Sequence, residues 1–156
     1  MSDLRRLLTV EFFSTAMPDM SSVHYDRDVR VLNVSVGLDR STKNALNVSD
    51  IVLDMNVEQF LSNIEILWSA EDWVMKPDLQ IPIPVGNARL RLVNVEGYLT
   101  EKAHVELWSA KDRNLLRLNF LPDQEKYIFR IGSLVIAGIS DANLLTRFWI
   151  EGIEVT

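Results

Sequence analysis

With 156 residues, 47% hydrophobic and 24% charged, the chain can bury a core of its own and is not disordered by composition. Twenty-two acidic against 16 basic residues leave a formal charge of −6, which argues against nucleic acid and anionic membranes as partners, since both ask for a basic surface. The absence of cysteine removes disulfides, thiol catalysis and thiolate-bound zinc.

In chain order, the first segment is MSDLRRLLTVEFFSTAMPDM. Leu4, Leu7, Leu8 and Phe12 share a face at helical spacing, so a helix over 3–14 is expected, with Ser2 placed to cap it. Glu11 interrupts the apolar run too early for a secretory signal, and no stretch approaches the ~18 apolar residues of a membrane span. A cytoplasmic protein is expected, in which the sequons at Asn33 and Asn47 are incidental. HYDRD at 24–28 reads as a solvated loop. DVRVLNVSVGLD at 28–39 is an extended run that ends on Gly37.

The middle of the chain nearly repeats itself. NVEQFLS (56–62) returns as NVEGYLT (94–100), and LWSAED (67–72) as LWSAKD (107–112), so 56–72 and 94–112 form a candidate internal repeat. The first copy admits a helix over 57–70, with Asn56 and Gln59 as a capping box. The second does not, because Gly97 interrupts it and the residues alternate: Val93, Val95 and Leu99 against Asn94, Glu96 and Tyr98. A hairpin turning near Thr100-Glu101-Lys102 explains the second copy, and a hairpin is the preferred reading of the first. Trp68, following Ile64 and Ile66, is then expected in the core, and Trp108, following His104 and Glu106, on a half-open face.

DLQIPIPV alternates Leu79, Ile81, Ile83 and Val85, but Pro82 and Pro84 lack donors, which points to an edge strand. LLRLNFLPD, KYIFRIG, SLVIAGIS and TRFWIEGIEV are further short runs bounded by Gly, Pro or Asp. The reading is a single mainly β domain over 1–156: an antiparallel sandwich or barrel of about 8–10 short strands.

Chemistry-bearing motifs are sparse. His24 and His104 stand far apart, there is no GxSxG, and the six glycines form no phosphate-binding loop. Asp54, Asn56, Glu58 and Glu65 match EF-hand spacing, but Gln59 stands where that loop turns on glycine. Neither a metal nor a cofactor is implied. The best constellation is the outward face of the second hairpin, where Tyr98 would lie by His104, Glu96 by Glu106, and Asn94 by Trp108. An aromatic-bearing face on an acidic chain points to a non-catalytic domain binding another, basic protein, with an immunity-type inhibitor of a basic toxin as its specific form. The alternative is a sandwich binding a small ligand or carbohydrate through Trp108, Tyr98 and Trp73. A hydrolase built on Glu96 and Glu106 ranks third.

Overall fold

A computed structural model describes residues 3–37 and 41–155. Helix α1 spans Leu4–Leu7. The strands of the first half are β1 (Val10–Thr15), β2 (Ser22–Asp26), β3 (Val31–Ser35), β4 (Asn44–Val48), β5 (Ile51–Met55), β6 (Leu61–Ile66), β7 (Val74–Met75) and β8 (Gly86–Leu92). Those of the second are β9 (Tyr98–Glu101), β10 (Glu106–Ser109), β11 (Leu115–Asn119), β12 (Glu125–Gly132), β13 (Val135–Ser140), β14 (Leu145–Glu151) and β15 (Glu154–Val155). An eight-stranded sheet, β1-β8-β12-β13-β14-β11-β10-β7, packs on a seven-stranded sheet, β15-β2-β3-β6-β5-β4-β9.

The fold is the expected mainly β sandwich, and it does not close into a barrel. It differs from the expectation in two respects. The short runs divide into more strands than anticipated, and both sheets are mixed, because β7/β10, β8/β12, β2/β15 and β4/β9 pair in parallel. The core lies between the sheets. Leu32, Val34, Leu53, Ile64 and Ile66 meet Leu90, Leu107, Leu118, Phe148 and Ile150, each on the inward parity of its strand.

The helix expected over 3–14 is a single turn. Leu4, Leu7 and Leu8 are buried as helical spacing requires, but the chain becomes β1 at Val10, where Phe12 packs at a tilt against Tyr127 and Phe129, with ring centroids 5.1 and 4.8 Å away. Asp3 is the N-cap residue, and Ser2 lies outside the described residues. The helix considered over 57–70 is absent. Asn56 caps a turn instead, its side-chain oxygen accepting from the Glu58 and Phe60 amides at 3.0 and 3.1 Å, and β6 follows. EF-hand geometry is absent too, since Asp54 and Glu65 sit on the two arms of the β5–β6 hairpin.

The two copies of the repeat agree only in their first halves. Gln59 (φ 70°) and Gly97 (φ 73°) both adopt left-handed backbone and both lead into a strand. Buried Asn44 joins the two turns, donating to the Gln59 side-chain oxygen and accepting from the Gly97 amide at 2.7 Å. Neither copy is a self-contained hairpin. In the first, β6 pairs back on β5, upstream of the repeat. In the second, β9 lies beside β4 in one sheet and β10 beside β11 in the other, with 102–105 crossing between them. LWSA therefore takes two structures. Trp68 lies beyond the end of β6, half-buried against the core rather than within it, with its indole N–H donating to the Ser49 carbonyl at 3.1 Å. Trp108 lies within β10, half-open as expected.

DLQIPIPV is not an edge strand. Residues 76–85 form a strap carrying the chain from β7, at one edge of the eight-stranded sheet, to β8 near the other. It is fastened by the Lys76 amide to the Ser109 carbonyl and the Val85 amide to the Ile128 carbonyl, each at 2.8 Å. The two prolines leave too few donors for a ladder.

Candidate functional site

The six residues expected on one hairpin face are not brought together. Tyr98 projects from β9 on the seven-stranded sheet and is 75% exposed. Glu96 is exposed in the turn before it, and Asn94 donates its amide to the Arg6 carbonyl at 2.9 Å. His104 is exposed on the connection between the sheets, while Glu106 and Trp108 lie on β10 of the eight-stranded sheet. Alternation along 94–108 was real, but the partners were wrong: β9 pairs with β4 and β10 with β11, so the facing of Glu96 with Glu106 does not occur.

Register assembles a different surface, the outer face of the seven-stranded sheet. One rung reads Glu154, His24, Asn33, Glu65, Val52, Asn47, Thr100 across all seven strands. The next reads Ser22, Ser35, Asn63, Asp54, Ala45, Tyr98. Only valine and alanine interrupt these polar rows, because the opposite parity of each strand has already gone into the core. The central part forms a shallow depression of about 440 Å³ that includes His24, Asn33, Asp54, Asn63 and Glu65.

Charge on the strands of this sheet is acidic. They carry Asp26, Asp54, Glu65 and Glu154 at outward positions, Glu101 at the position that pairs with core Val48, and neither lysine nor arginine; exposed Lys43 stands just before β4. The strands of the other sheet carry six cations, Arg89, Arg91, Arg117, Lys126, Arg130 and Arg147, against Glu11, Glu106, Glu125 and Glu151. The net charge of −6 is thus unevenly distributed, and its acidic pole is a sheet face.

Asp54 and Glu65 are diagonal neighbours across β5 and β6, a separation of about 7–8 Å for such positions. Burial pushes the Asp54 carboxyl above the usual carboxylate range, opposed by an Asn63 amide donating at 3.2 Å. Burial also raises Glu65, and the negative charge of Asp54 raises it further. A carboxyl with a raised folded-state pKa binds more protons folded than unfolded, so it removes stability as pH climbs from about 4 through the raised value. Asp54→Asn is therefore expected to leave the melting temperature near wild type below about pH 4 and to raise it progressively above that. Melts of both proteins from pH 3.5 to 7.5 check this; a difference that stays constant across the range would refute it.

The sequence pattern did not identify Asp54 and Glu65 as neighbours. The available signal was that each takes an outward position on one of two alternating runs flanking NVEQ; the sequence pattern sets aside a metal loop there and places its hairpin further along, over 56–72. No known protein family matches the chain, and no curated protein is significantly similar to it in sequence.

Proposed function

We propose that the chain is a cytoplasmic, non-catalytic protein-binding domain that receives a basic partner on the outer face of its seven-stranded sheet. The observation that carries this reading is that the strands of that sheet carry carboxylates and neither lysine nor arginine. A surface of carboxylates, amides and hydroxyls steers a basic protein into encounter and repels acidic ones. Its size is suitable: seven strands of about five residues span about 30 Å by about 17 Å, or on the order of 500 Å², against about 800 Å² per partner in a standard interface. The same flatness disfavours catalysis, which needs walls that hold a substrate and exclude water. Inhibition of a basic toxin stays within this reading, because blocking such an enzyme calls for a broad acidic face.

The carbohydrate reading fares worse. Trp108 already packs against the Lys76 ammonium at 5.0 Å and the Arg117 guanidinium at 4.7 Å from its ring centroid. Trp73 is buried against Tyr25, and Tyr98 stands on the other sheet.

The test is affinity capture from source lysate with wild type, with Asp54→Lys/Glu65→Lys, and with Glu106→Lys on the opposite sheet, at about 50 and about 500 mM salt. The expected result is a basic protein held by wild type and by the Glu106 variant at low salt. Recovery should fall at least about tenfold for the double variant and at high salt. A partner retained equally by all three proteins would overturn the assignment of this face.

A further inference from the structure

On the side away from β1, β8 pairs with β12 only at Gly86 and Asn87, and its next partner there is Phe60, which bridges to Arg91. Among the described residues no strand lies along this side of 88–90. The Val93 amide donates to the Thr9 carbonyl on the β1 side, so parity turns the backbone groups of Ala88 and Leu90 the other way, into the gap. A cleft of about 240 Å³ opens there. Its floor is apolar and belongs to the core, since Val36, Leu61, Leu90 and Ile131 are each at most 6% exposed.

Two buried polar side chains line the same cleft. Asn56 is 8% exposed, and its Oδ1 accepts from the Glu58 and Phe60 amides, which fixes the side chain's orientation. Its Nδ2 is left without an acceptor among the described residues; exposed Glu58, at the rim, forms no bond to it. Ser62 is 2% exposed and donates its hydroxyl to the Asp54 carbonyl at 3.2 Å, so it offers the cleft only oxygen lone pairs. The cleft therefore presents one donor and one acceptor beside an apolar floor. Water suits the polar side but not the floor, because a held water needs about 2–4 polar partners and the four core side chains supply none. An amide suits both: its oxygen accepts from Asn56 Nδ2, its N–H donates to Ser62 Oγ, and an apolar branch covers the floor. The rim disfavours an anion, since Asp19 and Glu58 stand there against Arg89 alone, and Arg89 already bonds Asp19 at 3.1 Å. A volume below the ~300–1,000 Å³ of drug-sized sites limits the occupant to about one residue.

We propose that this cleft binds a neutral amide carrying one short branched apolar group, the chemistry of a leucine or valine residue flanked by peptide bonds. Such a group comes free, as a small acylated amide, or within an extended peptide lying along the open stretch of β8. None of His24, Asp54 and Glu65 lines the cleft, so the site does not rest on docking at the acidic face.

The experiment titrates the full chain with N-acetylleucinamide and with acetyl-Gly-Gly-Leu-Gly-Gly-amide, following the Asn56 side-chain amide and the methyl resonances of Leu61, Leu90 and Ile131. Saturable shifts at these groups are expected with at least one of the two. N-acetylglycinamide, which lacks the branch, should bind at least about tenfold more weakly. Tighter binding of the pentapeptide assigns a peptide ligand, and equal or weaker binding a free small amide. Asn56→Asp keeps the oxygen that the turn amides bond and removes the donor, so affinity should fall at least about tenfold in a folded protein. Ser62→Ala removes the acceptor without touching the turn at Asn56, should also weaken binding several-fold, and serves if the first variant fails to fold. Linear, unsaturated shifts with every ligand, or affinities unchanged in the variants, would mean that the cleft holds only water and would overturn the site.

Discussion

Gly132→Ala is expected to destabilise the protein by about 3 kcal/mol or more, a large share of a typical domain's 5–15 kcal/mol. Gly132 ends β12, where the chain meets the loops that bracket β2 and β3 of the other sheet. A Cβ there would stand 2.0 Å from Ser21 Oγ and 2.6 Å from the Val36 carbonyl oxygen. Neither neighbour can easily withdraw. Ser21 Oγ donates to that same carbonyl at 3.0 Å, the Ser21 amide donates to Ser133 Oγ at 2.9 Å, and the Ser133 amide donates to the Asp19 carbonyl at 2.7 Å. The seam therefore ties the two sheets together through backbone as well as side chains. Ser21→Ala should rescue the Gly132→Ala variant only in part, since it removes the hydroxyl clash and leaves the backbone oxygen in place. Urea denaturation of the single and double variants measures both effects. A loss below about 1 kcal/mol for Gly132→Ala would show that the seam yields and does not fix how the sheets sit together.

The seam matters for function because each sheet offers its outer face to a different chemistry. One face collects carboxylates and amides, and the other collects guanidinium groups and indoles. Neither surface draws on residues of the other sheet, so the acidic face proposed for docking and the guanidinium-bearing face keep their different charges on opposite sides of the core.

Facing was legible in the sequence and partnership was not. Parity along 94–108 separated Val95, Val105 and Leu107 from Glu96, Tyr98, His104 and Glu106, but HYDRD, expected as a solvated loop, gives His24–Asp26 to β2 and buries Tyr25. Parity says nothing about which strand lies alongside. The run through 94–108 alternates as a hairpin would, yet its two halves belong to different sheets, and the crossing at 102–105 contains neither Gly nor Pro to mark it. The expected aromatic face dissolved for that reason, and the acidic face, which needs the order of seven strands, stayed hidden. The turn expected near Thr100-Glu101-Lys102 lies earlier, at Gly97, whose φ of 73° glycine tolerates, and Thr100 and Glu101 belong to β9; the equivalent turn at Gln59 uses a residue that hides its φ of 70°. The strap was half visible: Pro82 and Pro84 argued against a central strand, but only the sheet order shows that the segment must cross from one side to the other.

Arg147→Met is expected to cost about 3 kcal/mol, the lower end of the range for breaking a buried pair, because both side chains retain some exposure, 12% for Arg147 and 18% for Glu125. The loss would come less from the missing attraction than from what is left behind. Glu125 would keep its charge in a confined place, with its Cγ only 2.6 Å from where a Cβ at Gly138 would stand, and the Asp123 carbonyl would lose its donor. Glu125→Gln alone should cost less, since Arg147 keeps the Asp123 carbonyl, although its repulsion of Arg117 would no longer be offset. Removing both charges together, as Glu125→Gln/Arg147→Met, leaves neither ion stranded. The double variant should therefore lose clearly less than the two single losses combined, with a coupling of about 1–3 kcal/mol. Denaturant midpoints for the four proteins give that coupling directly. Strict additivity would mean that the two groups do not act as a pair, and that Arg147 is held in place by Asp123 and the surrounding packing alone.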